Sequence, residues 1–211
     1  MSMFTINTML AYVAACLLVV VSPGPDNILA VSRGLSQGRA AAALTSIGAG
    51  LGIMFHTLAA TVGLSLIIQN SPGAFWVVKA VGALYLLWLG YKALASGNLI
   101  SFAPTAKLSL SRVFLTGVMS NVLNPKPGLF VLAFLPQFVD AARGSVQIQM
   151  LVYGAIFAVL TALIFTAMGS FASKLAGWLS SRPRVIKGMN VGAGLTFIAA
   201  GLSVLTLKNR A

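Results

Sequence analysis

The chain has 211 residues, 58% hydrophobic and 8% charged, with a mean hydropathy of +0.95. So few charges exclude a soluble domain of this length, which would need a polar surface. The net charge of +12 does not make a nucleic-acid surface, because the basic residues form no patch with interleaved aromatics. They fall between apolar runs, as in loops held at a lipid bilayer.

Read in chain order, six apolar stretches are predicted to be helical spans, each long enough for a hydrocarbon core of roughly 30 Å. The first covers residues 6–31 and is broken by Ser22-Pro23-Gly24-Pro25-Asp26-Asn27. It holds the single cysteine, Cys16, so neither an internal disulfide nor a two-thiol relay is available. Val13-Ala14-Ala15-Cys16 has the look of a lipoprotein cleavage box, but no basic residue precedes it and the apolar run continues through Val21. Neither lipidation nor a cleaved signal peptide is expected. The second span is 40–68 and the third 75–95, followed by a polar connection, 96–111, that contains Pro104. The fourth, 113–138, is broken by Asn121-Val122-Leu123-Asn124-Pro125-Lys126-Pro127. The fifth is 147–171 and the sixth 185–207.

Proline lacks a backbone donor and blocks the preceding helical turn. In a bilayer such a break persists only where protein or a water-filled cavity satisfies the freed backbone groups. Two broken helices in corresponding halves point to a binding site near the midplane. The breaks are therefore assigned to Pro23, Gly24 and Pro25, and to Pro125 and Pro127. Re-entry of a broken segment is the alternative to a full crossing, and a five-span topology would follow from it.

Superposing Pro23-Gly24-Pro25 on Pro125-Lys126-Pro127 pairs the second span with the fifth and the third with the sixth. Three spans per half force opposite orientations, which makes an inverted repeat. The expected fold is an all-α integral membrane protein of six transmembrane helices in two inverted three-helix repeats. The repeats are 1–95 and 112–211, joined by a cytoplasmic linker, 96–111. One set of connections carries Arg33, Arg39, Lys92, Lys107, Arg112, Lys174, Arg182, Arg184 and Lys187; the other side has Arg143, Lys208 and Arg210. The positive-inside rule makes the richer side cytoplasmic and puts both termini outside.

Asp26 is the one acid within a span, and Asp140, the other acid, lies in an outer loop. Intramembrane ionisable residues cost about 2.5–3.5 kcal/mol on insertion scales and are functional candidates by default. Placed at the start of a half-helix, Asp26 could bind a substrate ammonium, take up a proton, or simply cap the helix. Lys126 occupies the matching break, where it and the amides of a half-helix starting near Gly128 could hold a carboxylate. A direct Asp26–Lys126 ion pair is the competing structural reading. Asn27, Asn121 and Asn124 add hydrogen-bonding capacity for substrate or for freed backbone. His56 could relay protons or serve as a hydrogen bond between helices, and no zinc-binding spacing surrounds it. Lys79 fits a snorkelling lysine, and Trp76 and Trp178 an interfacial belt. Gly48, Gly50 and Gly52, with Gly188, Gly192 and Gly194, allow close helix approach, whether for packing, for sliding or for a homodimer.

In four blocks the sequence resembles the LysE/RhtB-type amino-acid exporters of bacteria. They are Ser22-Pro-Gly-Pro-Asp-Asn27; Gly48, Gly52 and His56; residues 79–92; and Phe114, Gly117, Asn121, Asn124-Pro-Lys126, Phe130 and Pro136-Gln-Phe138. The resemblance covers most of the chain. It implies a multi-pass protein of the bacterial inner membrane that exports amino acids or close derivatives, driven by proton antiport. Pro127 departs from the family, which often has a small residue there. The signature around Asp26 resembles the homoserine/threonine branch, and one intramembrane acid equips the site poorly for a dibasic substrate. Neutral amino acids are therefore the expected cargo: threonine, homoserine, or branched-chain and other small apolar ones. Basic amino acids, another small metabolite or a cation are the alternative. Metal export would need several ligands, and an intramembrane enzyme would need a His-Glu-x-x-His pattern, paired acids or a thiol pair. Neither pattern occurs, and no cofactor is called for.

Overall fold

A computed structural model of the chain describes residues 3–22, 24–70, 72–95, 106–172, 174, 178 and 181–206. Their regular structure is helical, with no strand among the described residues. Helix α1 is Ile6–Val21 and α2 is Pro25–Gln37. Helix α3 is Arg39–Asn70, and α4 is Pro72–Ala95. The second half has α5, Leu110–Val122; α6, Pro125–Leu129; α7, Val146–Ser170; and α8, Pro183–Thr206. Between α6 and α7 the chain makes a π turn, Phe130–Phe134, and a 3-10 turn, Leu135–Phe138. Helix α5 starts two residues before the boundary expected for the second repeat. Pro23, residues 96–105 of the linker, Lys208 and Arg210, and the side chains of Trp76 and Lys79, lie outside the described residues.

The local causes of these boundaries are readable. Thr5 caps α1 by accepting from the amide of Thr8, as N-cap hydroxyls do. Helix α2 ends at Gly38, whose φ of 81° lies in the left-handed region that glycine occupies without strain. The α1–α2 pair is bent by 61° and the pair α5 with Pro125–Phe138 by 50°, well short of reversals. Among the described residues Arg39–Gly63 and Val146–Ser170 are each long and apolar enough to cross a membrane, and the number is four if each bent pair is one span. Large apolar side chains such as Phe55, Leu58, Val62 and Leu163 are more than half exposed. So much exposed apolar surface suits lipid.

Glycine seams set the helix spacing. On α3, a Cβ at Gly48 would meet the Phe114 carbonyl oxygen of α5 at 2.5 Å, and one at Gly52 the Asn121 Cβ at 2.6 Å. From α5, Gly117 abuts the Thr45 carbonyl oxygen. A Cβ at Gly50 would meet the Ala158 carbonyl oxygen of α7 at 3.1 Å, one at Gly34 of α2 would run into the Gly169 carbonyl of α7, and one at Gly194 of α8 would meet the Gly90 carbonyl oxygen of α4 at 3.0 Å. Gly188 and Gly192, expected at such contacts, are not: a Cβ on either would meet nothing within 4 Å, because both face outward. The α3–α5 seam matters most here, since it places Asn121 beside the first break.

Candidate functional site

Each break first satisfies its own backbone. Gly24 is extended ahead of Pro25, and its amide donates to Asn27 Oδ1 at 2.8 Å. The Asn27 amide group donates to the Ser22 carbonyl at 2.9 Å. At the second break Asn124 Oδ1 accepts from the Lys126 amide at 3.0 Å, and Pro125 opens the helix. Pro at the first helical position costs nothing there, since that amide is unpaired in any helix. The second half-helix therefore begins at Pro125, not near Gly128 as expected. Asn124 is its N-cap, and no free run of amides is left at Gly128.

The charged side chains instead reach across, each to the other break. Asp26 stands in the first turn of α2 and is 6% exposed. It does not cap its own helix, because Asn27 has that role. Its Oδ1 accepts from the Ser120 hydroxyl at 2.6 Å, and its Oδ2 from the side-chain amides of Asn121 at 2.8 Å and Asn124 at 2.9 Å. In the other direction, Lys126 Nζ donates to the Ser22 carbonyl at 2.7 Å. It lies over Gly24, where a Cβ would come within 3.2 Å of Nζ. Among the described residues the one ion pair is Arg143–Asp140. Asp26 and Lys126 do not form the direct pair that the sequence allowed.

Asp26, Asn27, Asn121, Asn124, Lys126 and Gly24 all line one cavity of about 20 Å³, together with Pro127. Its other wall is apolar: Val19, Val20, Ile53, Phe157 and Phe165. The volume is about that of one water, so a solute enters only if the helices move. His56 lies beside this cavity, not in its wall. Its Nε2 is 3.1 Å from the Asn121 carbonyl, and its ring packs on Gly128. Pro25 and Pro125 start their half-helices on exposed positions.

Sequence reasoning missed Ser120 and Thr161. Ser120 immediately precedes Asn121 on α5. Thr161 of α7 is 2% exposed, lines the cavity, and its hydroxyl has no hydrogen-bond partner. By contrast, the buried hydroxyls of Thr45, Ser46, Thr57 and Thr61 on α3 each bond the carbonyl four residues back, at 2.7–2.9 Å. Asn121 Oδ1 is likewise buried without a partner. Buried polar atoms are nearly always satisfied, so a hydroxyl and an amide oxygen beside this cavity are groups that a bound solute can satisfy. Near the middle of an apolar span, Thr161 stands between the apolar runs 154–160 and 162–165, which is the available signal for it.

The family model for LysE type translocators matches residues 17–208. The chain belongs to that family. As a LysE type translocator it is a membrane transport protein and not an enzyme. It is 28% identical to the homoserine/homoserine lactone efflux protein of Salmonella typhi, over 94% of this chain and 96% of that one. It is also 28% identical to the leucine efflux protein of Enterobacter sp. (strain 638), over 93% and 94%. An uncharacterized membrane protein of Vibrio cholerae is 28% identical over 96% and 98%. No solved structure matches the chain.

Proposed function

We propose that this translocator exports neutral amino acids across the bacterial inner membrane in exchange for protons. One observation carries the reading: a buried carboxylate and a lysine ammonium share a cavity whose wall is completed by asparagines and Thr161 on one side and by apolar side chains on the other. A zwitterion presents the complementary pair, its ammonium to Asp26 and its carboxylate to Lys126. A neutral side chain then meets Val20, Ile53, Phe157 and Phe165. A dibasic substrate would bring a second cation to a site with one acid. Asp26 is also the group that would carry the proton, taking it up when substrate leaves.

The same reading has six spans in two inverted repeats, 1–95 and 112–211, around these breaks. In support, α3 packs on α7 and α4 on α8, the pairs that the repeat would relate. Its cytoplasmic face is the end where three basic connections meet. Arg33 donates to the Ala106 carbonyl at 2.6 Å, and Arg39 stands 5.8 Å from the centre of the Phe171 ring. The opposite end gathers Asp140, Arg143 and the N-terminal Met3, and is the outer face.

The test is uptake of labelled neutral amino acids into inside-out vesicles, with and without an imposed proton gradient. Gradient-dependent uptake of threonine, homoserine or leucine is expected. Absence of uptake across that panel, with protein correctly inserted, would overturn the proposal.

A further inference from the structure

A second cavity, of about 170 Å³, opens at the other end of the bundle from the basic connections. It has room for about five or six waters at their liquid volume, the scale of a small amino acid. Thr5, the cap of α1, Thr8 of α1, Gln137, Asp140 and Arg143, and Tyr153 of α7 contribute to its wall. Arg143 Nε donates to Asp140 Oδ2 at 3.0 Å. Asp140 and Asp26 are the only acids of the chain. Each therefore lines a cavity, and each has a base in the same wall.

The backbone holding Asp140 is fixed by a buried polar residue. Gln149, 1% exposed, accepts from the Asp140 amide at 3.0 Å and donates to the Asp140 carbonyl at 2.9 Å and the Gly144 carbonyl at 3.3 Å. Burying an amide side chain is favourable only when it is fully bonded, and here every bond goes to the acid's loop. Asp140 Oδ1 accepts from the Ala142 amide at 3.0 Å, so capping the turn employs one carboxylate oxygen and leaves acceptor capacity on the other. Exposure of about a third leaves both charged groups open to the cavity.

The two cavities are joined by rings in contact. Phe157 of the inner wall lies 4.9 Å from Phe130, Phe130 lies 5.0 Å from Phe134, and Phe134 lies 5.2 Å from Phe138. Phe138 is in the wall of the outer cavity, as is Tyr153. Three of these rings sit on the π and 3-10 turns that continue the second bent span. π turns inside helices are frequent at functional sites, and movement of this one would displace all three rings together.

We propose that the outer cavity is a second binding site for the same zwitterionic substrate, occupied on exit, with its ammonium on Asp140 and its carboxylate on Arg143. The aromatic run is the barrier between the two sites. This rests on the amino-acid export reading above. The test compares Asp140→Asn and Arg143→Gln with wild type, using labelled threonine and leucine added to inside-out and to right-side-out vesicles. Asp140→Asn retains the oxygen that caps the turn, so the loop keeps its shape. The half-saturating concentration at the outer face should rise about five- to tenfold, the size of one charge-assisted bond at a half-exposed site. The value at the cytoplasmic face should stay as in wild type. Variants that leave both faces unchanged, or shift both equally, overturn this inference while wild-type transport upholds export. Wild type that moves no amino acid from either face overturns export, and the outer site with it.

Discussion

Replacing Asp26 by asparagine separates the fold from the proposed transport. The carboxylate takes three donors, from Ser120, Asn121 and Asn124. An asparagine that keeps its oxygen toward Asn121 and Asn124 turns its amide to Ser120, whose hydroxyl can accept as well as donate. All three bonds survive but lose about 1 kcal/mol of charge assistance each, and the smaller cost of burying an amide instead of a carboxylate offsets part of that, leaving a net loss of about 1–2 kcal/mol. For a chain of this size that is a fall in Tm of about 2–8 °C. Asp26→Ala is different, because it strands the two amide donors at about 1–3 kcal/mol each. Thermal unfolding in detergent and proton-driven uptake in vesicles are the two assays. Asp26→Asn should remain folded and membrane-inserted but lose uptake to background, whereas Asp26→Ala should be clearly less stable. Wild-type coupled uptake by Asp26→Asn would remove the carboxylate from the mechanism. An Asp26→Ala protein as stable as wild type would refute the hydrogen-bond accounting.

Lys126→Gln removes the ammonium that bonds the Ser22 carbonyl and should abolish efflux from intact cells, with the protein still at the membrane by blot. Gly34→Ala drives a Cβ into the Gly169 carbonyl; overpacking of this kind costs about 1–3 kcal/mol, to be read as a lowered melting temperature. Gly188→Ala, which meets nothing within 4 Å, should melt with wild type. Thr161→Val removes a hydroxyl that has no partner, so its melting temperature should hold or rise. In competition uptake it should move the preference from threonine and homoserine toward leucine by about tenfold, or roughly 1.4 kcal/mol.

The helices were legible because their signals are local. Hydrophobic runs of membrane length break at the proline pairs, and the expected stretches begin and end within about three residues of the described helices, except that α2 continues to Gln37, six residues past the expected end. Asn124 before Pro125 is also a legible cap signal, and it puts the start of the half-helix three residues ahead of Gly128. The partners of Asp26 were not legible. They lie 94 to 98 residues away and are fixed by the bend angles and by the Gly48–Gly52–Gly117 seam, neither of which a one-dimensional pattern contains. The same seam separates the glycines that pack from Gly188 and Gly192, whose spacing in sequence looked equivalent.

The division of labour at the breaks explains how such a site could open at low cost. If the two charges existed to hold the breaks together, each would bond its own freed backbone. Asparagines do that instead: Asn27 at the first break and Asn124 at the second. Asp26 and Lys126 spend their bonds across the gap, and those cross-gap bonds oppose separation of the two bent spans. On the export reading, a zwitterion offers replacements for them: an ammonium to the Asp26 carboxylate and a carboxylate to the Lys126 ammonium. The Asn121 oxygen and the Thr161 hydroxyl gain partners they lack in the closed arrangement. Substrate entry would then exchange protein contacts for substrate contacts of similar strength. A ligand shifts a conformational equilibrium only by its differential affinity for the two states, and here the exchange itself supplies that difference. A solute with only one of the two charges would replace only half of the bonds and leave the bundle closed, which makes the pair of charges a filter as well as a latch.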